Sequence, residues 1–140
     1  MSGRVTKELE QTVPPGTSET IIGFYRALDL HPDPAERFFA PDGVWMRLGQ
    51  PLQGRDAIRS ALLSRDTSRI SCHLVSNLRT RALAPDKAES DYFLTVYEGL
   101  ADTPMRLVSI LDTHDELVRI EGAWKLARKR SRRHLPFSPA

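Results

Sequence analysis

The chain has 140 residues, about one domain and long enough for its own core, and nothing in it marks a second. Its 40% hydrophobic and 27% charged residues are the balance of an ordinary globular protein, which sets aside a disordered or fibrous chain. Twenty Lys and Arg against 18 Asp and Glu leave a formal charge of +2, too small to argue for a nucleic-acid partner.

Residues 1–16 are polar, carry Pro14-Pro15-Gly16 and hold no period, so they read as a flexible arm. They lack the apolar core of a signal peptide, and no later run approaches the ~20 apolar residues of a membrane span. A cytoplasmic protein without a membrane partner is expected. Thr17 or Ser18 caps a first helix that stops before His31-Pro32, with Ile21, Phe24, Tyr25 and Leu28 as its apolar stripe. Ile22, Tyr25 and Asp29 follow an adjoining line at spacings of three and four. This puts the Asp29 carboxylate one turn beyond the Tyr25 ring, on the edge of the buried face. The alternative, Asp29 in water, leaves a negative charge near a helix C-terminus, where it is mildly unfavourable.

Asp33-Pro34-Ala35-Glu36 opens a second, short helix, with Asp33 as cap and Phe38-Phe39 as anchors. After a turn at Asp42-Gly43, Val44 to Leu48 forms a brief strand in which Val44, Met46 and Leu48 alternate with Trp45 and Arg47. Gly49 to Gly54 reads as a loop and Arg55 to Arg65 as a third helix.

Arg69 to Thr80 is the stretch that carries chemistry. As a strand it puts Ser71, His73, Val75 and Asn77 on one face, and Ile70, Cys72, Leu74, Ser76 and Leu78 on an oily one. If the mixed face lines a cavity, His73 is a titratable group in a dry place, a common sign of function; otherwise it is an ordinary exposed histidine. Cys72, the single cysteine, excludes an internal disulfide and reads as a small core residue. A turn at Ala84-Pro85-Asp86-Lys87 leads to a second long strand, Ala88 to Glu98, in which Tyr92 and Phe93 face opposite ways. The third runs from Met105 to Leu117 and carries Asp112. The fourth, Ala123 to Arg130, follows a turn at Glu121-Gly122. Trp124 reads as a core anchor, His31 and His134 as exposed, and His114 with Asp112 as too sparse for a metal site. The basic run KLARKRSRRHL reads as a solvated strand face followed by a tail over residues 132–140.

Helices first and long antiparallel strands after them is an α+β order, with helices gathered on one face of a curved antiparallel sheet. The run FYRALDLHPDPAERFFAPDGVW, then QGRDAIRSAL, CHLVSN, ILDTHDEL and GAWKLARK resembles the SnoaL-like group of the nuclear transport factor 2-like superfamily, over Ile21 to about Lys129. The resemblance implies a cystatin-like cone over residues 17–131, whose N-terminal helices close a pocket and which pairs as a homodimer through its sheet. Relatives include scytalone dehydratase, ketosteroid isomerase, polyketide cyclases and the small subunits of ring-hydroxylating dioxygenases. Asp29 and His73 fall where dehydratase-like members have a helix-borne acid and a strand histidine, and Tyr25 falls where isomerase-like members have the hydroxyl that stabilises an enolate. The isomerase's shuttling aspartate is replaced by Met46 and Arg47, and the dehydratase's second histidine is absent from Ala88 to Glu98.

The expectation is a cofactor-independent lyase or isomerase, dehydratase-like, acting on a small cyclic or carbonyl-bearing compound in a hydrophobic pocket. His73 is its base, Asp29 orients that base, and Tyr25 completes the catalytic set. Trp45, Arg47, Asn77, Tyr92 and Asp112 are candidate ligand-binding residues. For Trp45 and Tyr92 the alternative is the core, and for Asp112 an ion pair with Arg47 or Arg128. The competing function is a non-catalytic ligand-binding or assembly module akin to dioxygenase small subunits.

Overall fold

A computed structural model describes residues 13–30, 34–47 and 49–135. Helix α1 (Thr17–Leu30) starts after Gly16, whose φ of 92° suits glycine. The Thr17 hydroxyl donates to the Pro14 carbonyl at 3.0 Å, and that of Thr20 reaches the Trp124 carbonyl at 2.9 Å, pinning the helix to the far end of the chain. Ile21, Phe24, Tyr25 and Leu28 are buried, as their spacing requires, and Ile22 faces out. The second helix is a single 3-10 turn, Ala35–Phe38; His31 and the cap assigned to Asp33 lie outside the described residues.

Strand β1 (Phe39–Arg47) is longer than its alternation suggested. Its register against β6 slips between Phe39 and Val44, so the turn expected at Asp42-Gly43 is a bulge beside Pro41, which has no N–H to offer a ladder. Where a loop was expected, β2 (Gln50–Gln53) pairs back on β1; it is an edge strand, the position at which Pro51 is tolerated. Helix α2 (Gly54–Leu63) buries Ile58. The long strands are β3 (Arg69–Ala84), β4 (Lys87–Leu100), β5 (Arg106–Ile120) and β6 (Ala123–Leu135). Glu121 and Gly122, with φ of 51° and 81°, form the tight turn between the last two. Because β6 continues to Leu135, Arg132 to Leu135 are strand and not tail.

The six strands form one curved sheet in the order β2-β1-β6-β5-β4-β3. All neighbours are antiparallel except β1 and β6, so the sheet is mixed. Ala88, Ser90, Tyr92, Leu94 and Val96 of β4, with Thr113, Asp115 and Leu117 of β5, face the concave side, where α1 lies. On β3 the polar face is the concave one, and the oily face, with Ile70 and Leu74 exposed, lies outside. Cys72 shares that outer face and is exposed, so it is not a core residue. No helix among the described residues is long and apolar enough to cross a membrane.

Candidate active site

Asp29, in the last turn of α1, meets His73, near the start of β3, because the helix lies across that end of the strand. The Asp29 Oδ1 is 2.6 Å from the His73 Nδ1, its Oδ2 accepts the His73 backbone N–H at 2.8 Å, and the Ser71 hydroxyl donates to Oδ1 at 2.8 Å. Burial alone would raise the Asp29 pKa, but these hydrogen bonds from His73 and Ser71, with the attraction of the imidazole, outweigh it and lower the pKa. Asp29 is therefore a carboxylate and can only accept, which fixes the proton on Nδ1 and leaves Nε2 as the acceptor nitrogen of the neutral ring. Nε2 has no hydrogen-bond partner among the described residues. Both side chains are partly open to solvent, at 12% for His73 and 14% for Asp29, so the dyad sits at the rim of the cone and not in its depth.

Tyr25 stacks under the imidazole with ring centroids 5.4 Å apart. Its hydroxyl points away from that site, into a buried cluster that the sequence did not suggest. There the Tyr25 and Tyr92 hydroxyls are 2.7 Å apart and Tyr92 donates to Asp115 Oδ2 at 2.6 Å, so Tyr25 is the donor to Tyr92. Lys129 Nζ donates to Tyr25 at 2.9 Å, to Tyr92 at 2.7 Å and to both Asp115 oxygens at 2.9 Å. The Asp115 and Lys129 side chains are 0% and 1% exposed. Burial works against the ammonium, yet Asp115 and the tyrosine oxygens prevail and raise the Lys129 pKa. Burial raises the pKa of Tyr25, and raises that of Tyr92 well above the ordinary value with Asp115 adding to the shift, so both stay neutral phenols. Asp115 lies opposite Lys129 across β5 and β6, and that cross-strand register is the only signal that joins them.

A third group gathers at the rim. Arg69 Nη1 pairs with Glu98 at 3.1 Å, Arg65 Nη2 lies 3.5 Å from the Ser71 hydroxyl, and the Arg47 guanidinium sits 5.3 Å over the Trp45 ring. Trp45 itself packs on Phe24 and Phe39, and Tyr92 is held in the buried cluster, so the second reading of these two aromatics, as core, describes their contacts.

Two other candidates are placed elsewhere. Asn77 has a φ of 54° where the β3–β4 register slips between Ser76 and Arg79; the extra residue reverses the alternation, so Asn77 is exposed while Leu78 and Thr80 turn inward. Asp112 faces the convex side and pairs with Arg132 at 3.0 Å, not with Arg47 or Arg128. There Asp91, Asp112, His114, Arg130, Ser131 and Arg132 line an open groove of about 460 Å³. Phe93 is on this side too, against His134. His114 is held by Asp91 at 2.7 Å, and no three His, Cys, Asp or Glu among the described residues are arranged to hold a metal.

A family model for SnoaL-like domains matches residues 20–130. Among solved structures, Aln2 from a Streptomyces species superimposes with a TM-score of 0.77 at 18% identity, over 87% of this chain and 94% of that one. A Catenulispora acidiphila protein in complex with S-DNPA gives 0.72 at 21% identity, over 83% and 89%. A candidate scytalone dehydratase from Novosphingobium aromaticivorans gives 0.73 at 20% identity, over 96% and 89%. At these identities the likeness is one of fold, which is cystatin-like. No curated protein matches the sequence.

Proposed function

The chain belongs to the SnoaL-like domain family, and from that premise we propose that it is a cofactor-independent lyase or isomerase of the dehydratase kind, acting at the Asp29–His73 dyad on a small cyclic or carbonyl-bearing compound. The observation that carries this reading is the 2.6 Å contact between the Asp29 carboxylate and His73 Nδ1, with Nε2 left unpartnered among the described residues. Nε2 takes a proton from the carbon next to a carbonyl, and the electron pair left behind forms the enolate. As the enolate collapses, the bond from the β-carbon to its hydroxyl breaks and the Nε2 proton goes to the departing oxygen, so water leaves and the imidazole is neutral again. Asp29 holds the ring and favours the imidazolium formed midway. Tyr25 supplies the surface under the ring, its hydroxyl being occupied by Lys129 and Tyr92.

The test needs no prior substrate. Carbonyl and β-hydroxycarbonyl compounds incubated with the protein in D2O should show catalysed α-hydrogen exchange or loss of water by NMR. His73→Ala should slow this by ~100-fold or more, the usual contribution of a general base. Equal rates for the variant would remove His73 from the chemistry. No reaction with any compound would favour the second reading, a ligand-binding or assembly module, to which the packed Trp45 and Tyr92 lend support.

The exposed Ile70, Leu74 and Val108 on the convex face support a homodimer formed sheet to sheet. Sedimentation should find a dimer that Leu74→Asp converts to monomer; a wild-type monomer would end the idea.

A further inference from the structure

Arg47 closes β1, Arg65 follows the end of α2 and Arg69 opens β3, and the three lie close enough for their charges to act on one another beside Ser71, which touches the dyad. Arg69 shares the concave face of its strand with Ser71 and His73, and Arg47 shares that of β1 with Trp45. The connection to the dyad is short: Arg65 Nη2 lies 3.5 Å from Ser71 Oγ, which is 2.8 Å from Asp29 Oδ1.

Three carboxylates lie near this group and all are engaged, Asp66, beside Arg69, by the Ser68 hydroxyl and backbone N–H. Glu98 accepts from Arg69 Nη1 at 3.1 and 3.2 Å, and Asp29 is filled by Ser71 and His73. Arg47 and Arg65 have no carboxylate partner among the described residues. Arg69 Nε is buried without any hydrogen-bond partner, a donor that folding leaves unsatisfied. The cations also strain one another: burial lowers the Arg47 pKa and Arg69 adds to it, while burial, Arg47 and Arg69 together lower that of Arg65. Three half-buried cations outnumber the carboxylates free to pair with them, since Glu98 is taken by Arg69, Asp29 by His73 and Ser71, and Asp66 by Ser68, and such an excess is costly unless something anionic visits.

We propose that Arg47, Arg65 and Arg69 form a carboxylate-binding site at the mouth of the cone, so that the compound acted on at His73 is an organic acid whose carboxylate is anchored there. The planar forks suit a carboxylate's two oxygens, and the anchored end would hold the rest of the molecule toward Nε2. The inference deepens the acid–base reading and rests on the same site, but its test reads binding alone.

Benzoate and benzamide, equal in shape and different in charge, are the probes, with inorganic phosphate as a third. Benzoate added to the intact protein should shift the His73 imidazole resonances saturably, and benzamide should not. Arg47→Gln and Arg65→Gln should each weaken benzoate by about tenfold, the cost of one charge-assisted contact, whereas Arg119→Gln, an exposed residue of β5, should leave it unchanged. Glu98→Gln frees Arg69 and should tighten benzoate, a gain that misfolding cannot imitate. His73→Ala, which slows turnover ~100-fold or more under the proposed function, should still bind benzoate when followed by calorimetry. Equal affinity for benzamide, tighter binding of phosphate than of benzoate, or Arg47→Gln and Arg65→Gln variants that bind like wild type would each overturn the site. A wild-type protein that binds benzoate but turns over no carbonyl or β-hydroxycarbonyl compound would leave the carboxylate site standing without the catalytic reading.

Discussion

Two polar clusters share the concave face of this sheet and are built on opposite principles. In the depth, Tyr25, Tyr92, Asp115 and Lys129 satisfy one another and are sealed from water. At the rim, Asp29 and His73 are partly open, and Nε2, Arg47 and Arg65 keep capacity that no described carboxylate fills. Tyr25 belongs to both, its ring under His73 and its hydroxyl in the cluster. A saturated group of charges has nothing left to offer a ligand, so its effect should appear in stability, while the unsaturated group should govern turnover.

That division can be broken most forcefully at Lys129. Lys129→Met strands the buried Asp115 and should cost about 3–5 kcal/mol in urea unfolding, and adding Asp115→Leu should return much of it, because an apolar pair of similar volume replaces the ion pair. A variant as stable as wild type would show the cluster to be dispensable. Tyr25→Phe tests the bridge between the regions: it keeps the ring and removes one hydroxyl, so it should cost about 1 kcal/mol of stability and leave α-hydrogen exchange within a few-fold of wild type. A fall in exchange as large as that of His73→Ala would return the hydroxyl to the chemistry. The smallest effect concerns acid. The Asp29 pKa is lowered on folding, so its contribution to stability is fully present above the ordinary carboxylate range of ~4 and is lost as pH falls through the lowered value. Asp29→Asn should flatten the part of the urea midpoint's decline that falls below about pH 4; an unchanged slope would mean that Asp29 gains nothing on folding.

The rim dyad could be read from sequence because it depends on local periods. Helical spacing placed Asp29 beside the buried stripe, and strand alternation placed His73 with Ser71. The deep cluster depends on register between strands, and bulges conceal that. In β6 the buried positions run Trp124, Leu126 and then Lys129, an odd step that accompanies the slip between Glu116 and Leu117, so strict alternation puts Lys129 on the solvated basic face. The slip after Ser76 misled in the same way for Asn77. Cys72 failed for another reason: oiliness did not mark the inside of β3, whose apolar side is the convex one.

The parallel pairing of β1 with β6 joins the first strand to the last, as Phe39 lies beside Leu126 and Thr20 is tied to the Trp124 carbonyl. The antiparallel run β3 to β6 can zip through its turns, but β1, with β2 beside it, has no place in the sheet until β6 exists. The entropy of closing so long a loop falls due before those contacts can offset it. A chain emerging from the ribosome therefore holds β1 and its Arg47 without a place in the sheet until the last strand is made. The rim is thus completed last at Arg47, although Arg47 is among the first of its residues to be made.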